Sequence, residues 1–587
     1  MRLSTFDWLI VGAVFVVAIG VSLWVSKRSS TTSAEFFLSG RSMPWWLLGT
    51  SMVATTFSTD TPNLVADITR THGVAGNWVW WAFLLTGMTT TFLFASLWRR
   101  SRLTTDIEFY EMRYSGRVAA FLRLFRAIYL GMVLNVFILA IVCLAAIKIG
   151  AVLFGLSPTA IVLLAGGVAL LVSIAGGLRG VIYTDFLLFS FAMTGAVSAA
   201  YFALDHPQVG GLTALFSHPV VVSKAQFFPS FSDPNLYVPL FLVPLLLQWW
   251  SVWYPGAEPG GGGYVAQRML SAKNPNHAIG AIFLFNVAHY VLRPWPWIIV
   301  ALASLVVFPT LDDIRAAFPH IEPDIVGHDL GYPAMLSFVP AGWLGLVTGS
   351  LIAAFLSTMS TSLNLGAAYI TKDVYQRYVK EDASERELIL CGRIAMIVLM
   401  TSTGFVALQL QNALQAFSIL LSIGAGTGLI FMLRWYWERI NAWSELTAMV
   451  VSFITSLYFQ LNTELELEEW QRLLASVSIT TFAWCAVVFI TPRTDSETLR
   501  RFFDSVQPNS LGWRLTIENS GVVANRNSAR QIPRAMLCAV LSSIAIYFAM
   551  FAIGYLIQAK IGTACFSLVG ALVIGFMSWR CYKKIDL

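Results

Sequence analysis

The stretch GSLIAAFLSTMSTSLNLGAAYITKD, residues 349–373, decides how the chain is read. It is apolar enough for a membrane helix, yet it carries hydroxyls where a lipid-facing span would carry Leu and Val. Ser357, Thr358, Ser360, Thr361 and Ser362 fall within six residues. At helical spacing Ser357, Ser360 and Thr361 share one face, with Ala354 one turn earlier. In hydrocarbon each hydroxyl needs a partner. One candidate is the helix's own carbonyl a turn back, or a neighbouring helix packed on small residues. The other is a cation: a wall of neutral oxygens suits a small hard ion that has shed its water.

The rest of the chain agrees with a membrane setting. Of 587 residues, 57% are hydrophobic and only 12% charged, and mean hydropathy is +0.68, which excludes an ordinary soluble protein. Six scattered cysteines (Cys143, Cys391, Cys485, Cys538, Cys565, Cys581) show no spacing for zinc or a disulfide framework. The first apolar run, Trp8 to Val25, precedes Lys27 and Arg28 with no small-residue cleavage site, so it reads as a retained span. Gly260–Gly263 lacks the following Lys-Ser/Thr of a phosphate loop, and no basic-aromatic surface is apparent. No nucleotide or nucleic-acid partner is expected, no Ser/His/Asp set argues for an enzyme, and no obligate protein partner is inferred.

Apolar runs sit near 7–26, 44–69, 77–98, 118–150, 157–176, 180–204, 236–254, 277–308, 340–372, 387–410, 413–436, 443–461, 472–492, 535–557 and 561–579. That predicts an all-α polytopic protein of about fifteen spans. Basic residues crowd alternate loops: Arg99 to Arg117, Arg268 and Lys273, Lys372 to Lys380, Arg434 and Arg439, Arg493 to Arg534, and Arg580 to Lys584. Acidic loops, Asp312 to Asp329 and Glu464 to Glu469, lie opposite. The positive-inside rule puts the N-terminus outside and the C-terminus in the cytoplasm of a plasma (inner) membrane.

Two spans are interrupted: 44–69 by MVATTFSTDTPN, and 236–263 by Pro244, Gln248 and YPGAEPGGGG. Ordinary Pro-kinked spans are one reading. The other is an inverted repeat with its site at mid-membrane, because broken helices in matching positions mark such transporters. The organisation is then an extra N-terminal span at 1–30, repeats at 44–204 and 236–436, and accessory spans at 443–587. Within the last, 493–533 is the one sizeable soluble segment. Its Leu499, Phe502, Phe503 and Val506 share a helical face, which suits either the membrane surface or a connecting loop.

Few ionisable residues fall inside the spans, and those that do are functional candidates by default. Asp185 ends GGLRGVIYTD and enters an apolar run; it can serve a site or cap a helix. Asp60 and Asp67 lie at the first interruption, where each can also face an aqueous vestibule. His289 and Arg293, one turn apart, can bind a polar or anionic solute or anchor their helix. Trp249, Trp250, Trp253, Trp295 and Trp297 can wall a pocket or belong to interfacial belts.

These motifs together resemble the sodium:solute symporter family. FFLSGRSMPWWLLGTSMVATTFST (36–59) looks like its first core helix and GGLRGVIYTD (176–185) like its fifth. YVAQRMLSAKN (264–274) is similar to the signature after the sixth, and AAFLSTMSTSLN (353–364) with TKDVY to the eighth. The resemblance implies a LeuT-like 5+5 fold with one extra N-terminal span. It implies sodium as the coupling ion, held by the carbonyls of Ala54, Phe57 and Ala354 and the hydroxyls of Ser357 and Thr358. A second sodium set is similar to Asp185, Ser357, Ser360 and Thr361. Solute matches are Thr61, Trp80 or a neighbour in NWVWWAF, Gln248 and Trp249, beside His289 and Arg293. Thr61 stands where sugar symporters carry Gln, and Trp80 where they carry Glu, so a hexose mode is not implied.

The function expected is a sodium-coupled symporter importing a small polar organic solute by alternating access. The alternative is a transporter-like membrane sensor without net flux. Partners are the solute and the lipid bilayer.

Overall fold

The computed structural model describes every residue except 1–2, 30–31, 252–257, 322–324, 411–423, 463–464, 509, 521–527 and 586–587. Among the described residues the chain is helical, with no strand beyond an isolated bridge between Met43 and Ala272. The principal helices are α1 (Thr5–Ser29), α2 (Trp45–Thr56), α3 (Asp60–His72), α4 (Val74–Ser101) and α5 (Gly116–Phe154). Then come α6 (Pro158–Asp205), α7 (Gly263–Ser271), α8 (Pro275–Val307), α9 (Trp343–Val379) and α10 (Glu385–Ala407). The last are α11 (Ala442–Leu461), α12 (Glu469–Ile490), α13 (Ser496–Val506), α14 (Gln531–Ile557) and α15 (Ile561–Tyr582).

Eleven described helices are long and apolar enough to cross a membrane, and the expected count of about fifteen also includes spans that are merged, broken or partly outside the described residues. The difference has physical causes. The expected spans 157–176 and 180–204 are one 48-residue element, α6. A straight helix of that length would measure about 72 Å, more than twice the hydrocarbon core. It doubles back at Gly177 (φ 53, ψ −164). Near the start of α1, Trp8 stacks on Phe154, while near its end Ser22 donates to the Val172 carbonyl at 2.7 Å. Beyond Gly177 the chain returns beside α9, where Asp185 meets Ser357. Only glycine fits at the reversal: φ is positive, and an added Cβ would lie 2.8 Å from the Phe36 carbonyl. The expected spans 44–69 and 236–254 are broken into short helices, and 413–436 falls partly outside the described residues.

The central position of α9 follows from its burial. Of its apolar window 89% is enclosed by other helices, against 17% for the peripheral α15. A helix that is both apolar and enclosed can keep polar groups only if they are partnered from within.

Among the described residues of the soluble segment, the apolar face expected to meet either membrane or loop is covered by protein. The apolar face of α13 packs on protein: Phe502 lies 5.7 Å from Phe109, 5.9 Å from Trp435 and 5.3 Å from Trp513, ring to ring. Buried Arg113 sits over the Phe502 and Trp513 rings at 5.5 and 4.8 Å. The segment is thus a strap across one end of the bundle, held by aromatic burial and cation–π attraction.

Candidate cation and solute site at a broken helix

The break between α2 and α3 is written in TTFSTDTPN. Thr55 and Thr56 turn their hydroxyls back to the carbonyls of Ser51 (2.8 Å) and Val53 (3.0 Å), which weakens the helix end. Phe57 then leaves helical geometry (φ −90, ψ 81). The helix restarts at Asp60, whose charge suits a helix N-terminus, and Pro62 is tolerated in that first turn. At the second interruption Pro255 lies outside the described residues. Gly260 and Gly261 there have φ of 88° and 95°, so no helix continues through them.

The hydroxyl face of α9 lies against this break. Thr358 Oγ1 donates to the Thr55 carbonyl at 2.6 Å, and Thr361 Oγ1 lies 3.1 Å from Thr55 Oγ1. Ser357 turns elsewhere: its Oγ donates to Asp185 Oδ1 at 2.6 Å. Of the expected first cation set, Thr358 is therefore bonded to α2, one residue from Ala54 and two from Phe57. Ser357 stands between that set and Asp185. A hydroxyl that donates still offers lone pairs to a cation, so this arrangement accommodates both. The donors are neutral oxygens, the chemistry a sodium ion requires.

Around Asp185 the structure gathers more than the sequence indicated. Ser51 Oγ donates to Asp185 Oδ2 at 2.5 Å. Arg268, read from sequence as a loop charge, is fully buried on α7, and its Nη2 stands 3.7 Å from Asp185 Oδ2. The same nitrogen donates to Thr361 Oγ1 at 2.8 Å and Ser51 Oγ at 3.2 Å, and Nη1 donates to Gln267 Oε1 at 3.1 Å. Asp185, Ser357 and Thr361 of the expected second set thus meet. Ser360 Oγ is buried with no partner among the described residues. The guanidinium supplies the positive charge that a second cation would. Ser51, Thr55 and Arg268 were missed; the signals were the i, i+4 pair in α2 and the Gln-Arg of YVAQRMLSAKN.

On the other side of the break lies the expected solute group. Arg293 Nη1 donates to Thr56 Oγ1 at 2.8 Å, and His289 Nδ1 lies 3.1 Å from the same oxygen. Arg293 Nη2 is 3.0 Å from His289 Nε2, and the guanidinium covers the Trp297 ring at 5.1 Å. Trp80 stands edge-on to His289 at 5.8 Å, and Thr61 Oγ1 donates to the Thr56 carbonyl at 3.2 Å. These four expected residues converge. Gln248 and Trp249 do not join them: Gln248 Nε2 donates to the Val79 carbonyl at 3.0 Å, and the Trp249 carbonyl accepts from Thr86. Several polar atoms at the break are buried without a partner among the described residues: Arg293 Nε, Asp60 Oδ1, the Asn63 amide and Trp297 Nε1. Buried polar atoms are rarely left unpaired, so these atoms are open to a further partner. Asp67 lies farther along α3, away from these atoms, as does the buried pair Lys148–Asp329 (2.6 Å).

The Sodium:solute symporter family model matches residues 36–452. The chain is 25% identical over 476 residues to a sodium/glucose cotransporter of Vibrio parahaemolyticus, covering 78% of this chain and 86% of that one. It is 27% identical to a sodium/mannose cotransporter of Bos taurus, covering 75% and 76% respectively. Among solved structures it is similar to a substrate-bound, outward-open Na+-coupled sialic acid symporter. The TM-score is 0.66 at 19% identity, over 84% of this chain and 100% of that one. That likeness establishes a LeuT-like fold.

Proposed function

Because the chain belongs to the sodium:solute symporter family, and is thus a sodium-coupled membrane transporter and not an enzyme, we propose that it imports a small polar organic solute by alternating access. The observation that carries the sodium assignment is the Thr358–Thr55 contact, which ties an oxygen-rich helix to a helix end with spare carbonyls. Sodium would bind between the carbonyls of Ala54, Phe57 and Ala354 and the hydroxyls of Ser357 and Thr358, drawing α9 and the break together. Asp185, Ser357, Ser360 and Thr361 would hold a second ion only if Arg268 moved away, since both cannot neutralise one carboxylate.

The solute group is assigned to Thr61, Trp80, His289 and Arg293, supported by their convergence on Thr56 and by the unpaired atoms of Asp60, Asn63 and Trp297. Gln248 and Trp249 are left out of this group, because Gln248 is bonded to the Val79 carbonyl and the Trp249 carbonyl to Thr86. The named relatives carry glucose, mannose and sialic acid, all small polar organic solutes, which supports that class here. The loop charges support an outside N-terminus and a cytoplasmic C-terminus in a plasma (inner) membrane. Sodium entry down the gradient then drives import, each inward charge adding about 2.3 kcal/mol per 100 mV.

The test is uptake into sealed vesicles. Thr358→Ala should cut sodium-stimulated uptake at least tenfold while the protein remains inserted; sodium dependence equal to wild type would defeat the assignment. The solute is sought by sodium-dependent thermal stabilisation against a panel of sugars, amino acids, carboxylates and vitamins. Coupling is reciprocal, so the right solute must also raise the affinity for sodium.

A further inference from the structure

Where the strap meets the core, a cavity of about 560 Å3 opens between the end of α4 and the start of α8. Arg99, Arg100, Arg102 and Lys273 line it, with Ser505 and Gln507 at the end of α13. A second cavity of about 500 Å3 shares Arg99 and Arg102 and adds Arg41. None of these five cations makes an ion pair among the described residues. The flanking carboxylates are engaged elsewhere: Asp504 with Arg500 at 3.8 Å, and Glu108 with the Thr104 amide at 2.8 Å and Arg123 at 3.7 Å.

Two of the cations are held by backbone carbonyls. Arg99 Nε donates to the Ala272 carbonyl at 2.5 Å. Arg41 Nη2 donates to the Arg102 carbonyl at 2.6 Å, while its Nη1 is buried without a partner among the described residues. Arg41, Arg102 and Gln507 have φ of 54°, 57° and 50°, a left-handed conformation that non-glycine residues rarely adopt. Backbone strain of this kind persists where surrounding structure enforces it, and it gathers at functional sites. Asn274 caps α8 and lines the cavity with Pro275, so the positive end of a long helix adds to the field.

Loop cations of a membrane protein normally point into water near lipid. Here four gather around one open cleft, Arg99 and Arg100 partly buried and Arg102 and Lys273 exposed, and none of them makes an ion pair among the described residues. We propose that this cavity binds a phosphate group, carried either by an anionic phospholipid headgroup or by a free phosphate anion. Basic pockets between helices at a cytoplasmic face take such headgroups, and guanidinium groups bind phosphate in bidentate fashion. A ligand there would join the cations at the end of α4 and the start of α8 by charge and reach Ser505 and Gln507 of the strap by hydrogen bonds. The cavity is distant in character from the sodium and solute groups, and its occupancy does not depend on them.

The test uses the full chain in nanodiscs of phosphatidylcholine, with or without phosphatidylglycerol. A separate titration adds inorganic phosphate, with chloride at equal ionic strength as control. Thermal midpoint and lipid retention in native mass spectrometry are read for wild type, Arg102→Gln/Lys273→Gln and the milder Lys273→Gln. Wild type should be stabilised by phosphatidylglycerol or by phosphate, and the double variant should need at least tenfold more of the same anion. Phosphatidylglycerol alone acting identifies a headgroup; phosphate alone acting identifies a soluble anion. Should the double variant not fold, Lys273→Gln must still weaken the response. The inference is overturned if neither anion exceeds the chloride control, or if the variants respond as wild type does. Sodium-dependent stabilisation should be intact in every variant, which separates this outcome from a failure of the transport reading.

Discussion

Arg268→Gln tests the electrostatics of the site most directly. In the folded chain Asp185 is buried with a guanidinium nitrogen 3.7 Å away and two hydroxyls on its oxygens. At an effective dielectric of about 20, that charge pair is worth roughly 4 kcal/mol of attraction. Removing one partner of a buried pair typically costs about 3–5 kcal/mol, because the other charge is stranded. Glutamine can keep a hydrogen bond to Thr361 but supplies no charge. Sodium can, and the stranded carboxylate with Ser357 and Thr361 is a ready oxygen set for it. At a sodium concentration about a hundredfold above its dissociation constant, binding would restore about 2.7 kcal/mol.

The assay is unfolding of purified protein in sodium chloride against choline chloride at equal ionic strength. Wild type should show the modest sodium stabilisation of the first ion set alone. Arg268→Gln should be markedly weaker in choline and recover much of the loss in sodium, widening the gap by about 2–3 kcal/mol. Arg268→Lys should keep the gap near wild type. Asp185→Asn combined with Arg268→Gln should be milder than either alone, since no charge is left stranded. An unchanged sodium gap in Arg268→Gln would refute the view that the guanidinium occupies a cation's place.

Lys148→Met should cost about 3–5 kcal/mol of stability by stranding Asp329, and Lys148→Met with Asp329→Leu should recover most of it in the same unfolding assay. Asp106 lies in the loop between α4 and α5, where it accepts from Tyr369 at 2.6 Å and the Gly263 amide at 2.8 Å, and burial pushes its carboxyl up to about 6. The folded state therefore holds that proton more tightly than the unfolded chain, so this group favours folding increasingly as pH falls from about 6 towards 4. Asp106→Asn should remove that share of the slope, read as the difference between variant and wild-type unfolding midpoints across pH 4 to 7.

Much of the fold was legible because the membrane permits few solutions. Apolar length marked the long helices, and TTFSTDTPN announced the break through its stop, its acid and its proline. The runs 157–176 and 180–204 marked the two arms of α6, and what could not be read was the contact that turns the chain between them. Hydropathy shows two neighbouring spans or one long one, and the decision rests on Gly177 meeting the Phe36 carbonyl, a tertiary contact. The strap was half legible for the same reason. Its apolar face was plain in Leu499, Phe502, Phe503 and Val506, but lipid and aromatic protein surface satisfy such a face equally well. Only the presence of Phe109, Trp435 and Trp513 opposite it decides the matter.

The site divides along a similar line. Hydroxyls crowded on one helical face imply a partner, and Thr358 finds one at the break. A lone cation implies nothing about whether it is solvated. Arg268 sits in a nine-residue helix too short and mixed for hydropathy to place, and its partner Ser51 is 217 residues earlier in the chain. Yet a carboxylate inside a membrane must be neutralised, and Asp185 had only hydroxyls among its expected companions. That deficit of one positive charge was readable from the start. Either a sodium ion or an arginine supplies such a charge, and in this structure it is Arg268 that stands beside the carboxylate. A site where two cations compete for one carboxylate can link ion binding to α7, the helix that carries the guanidinium.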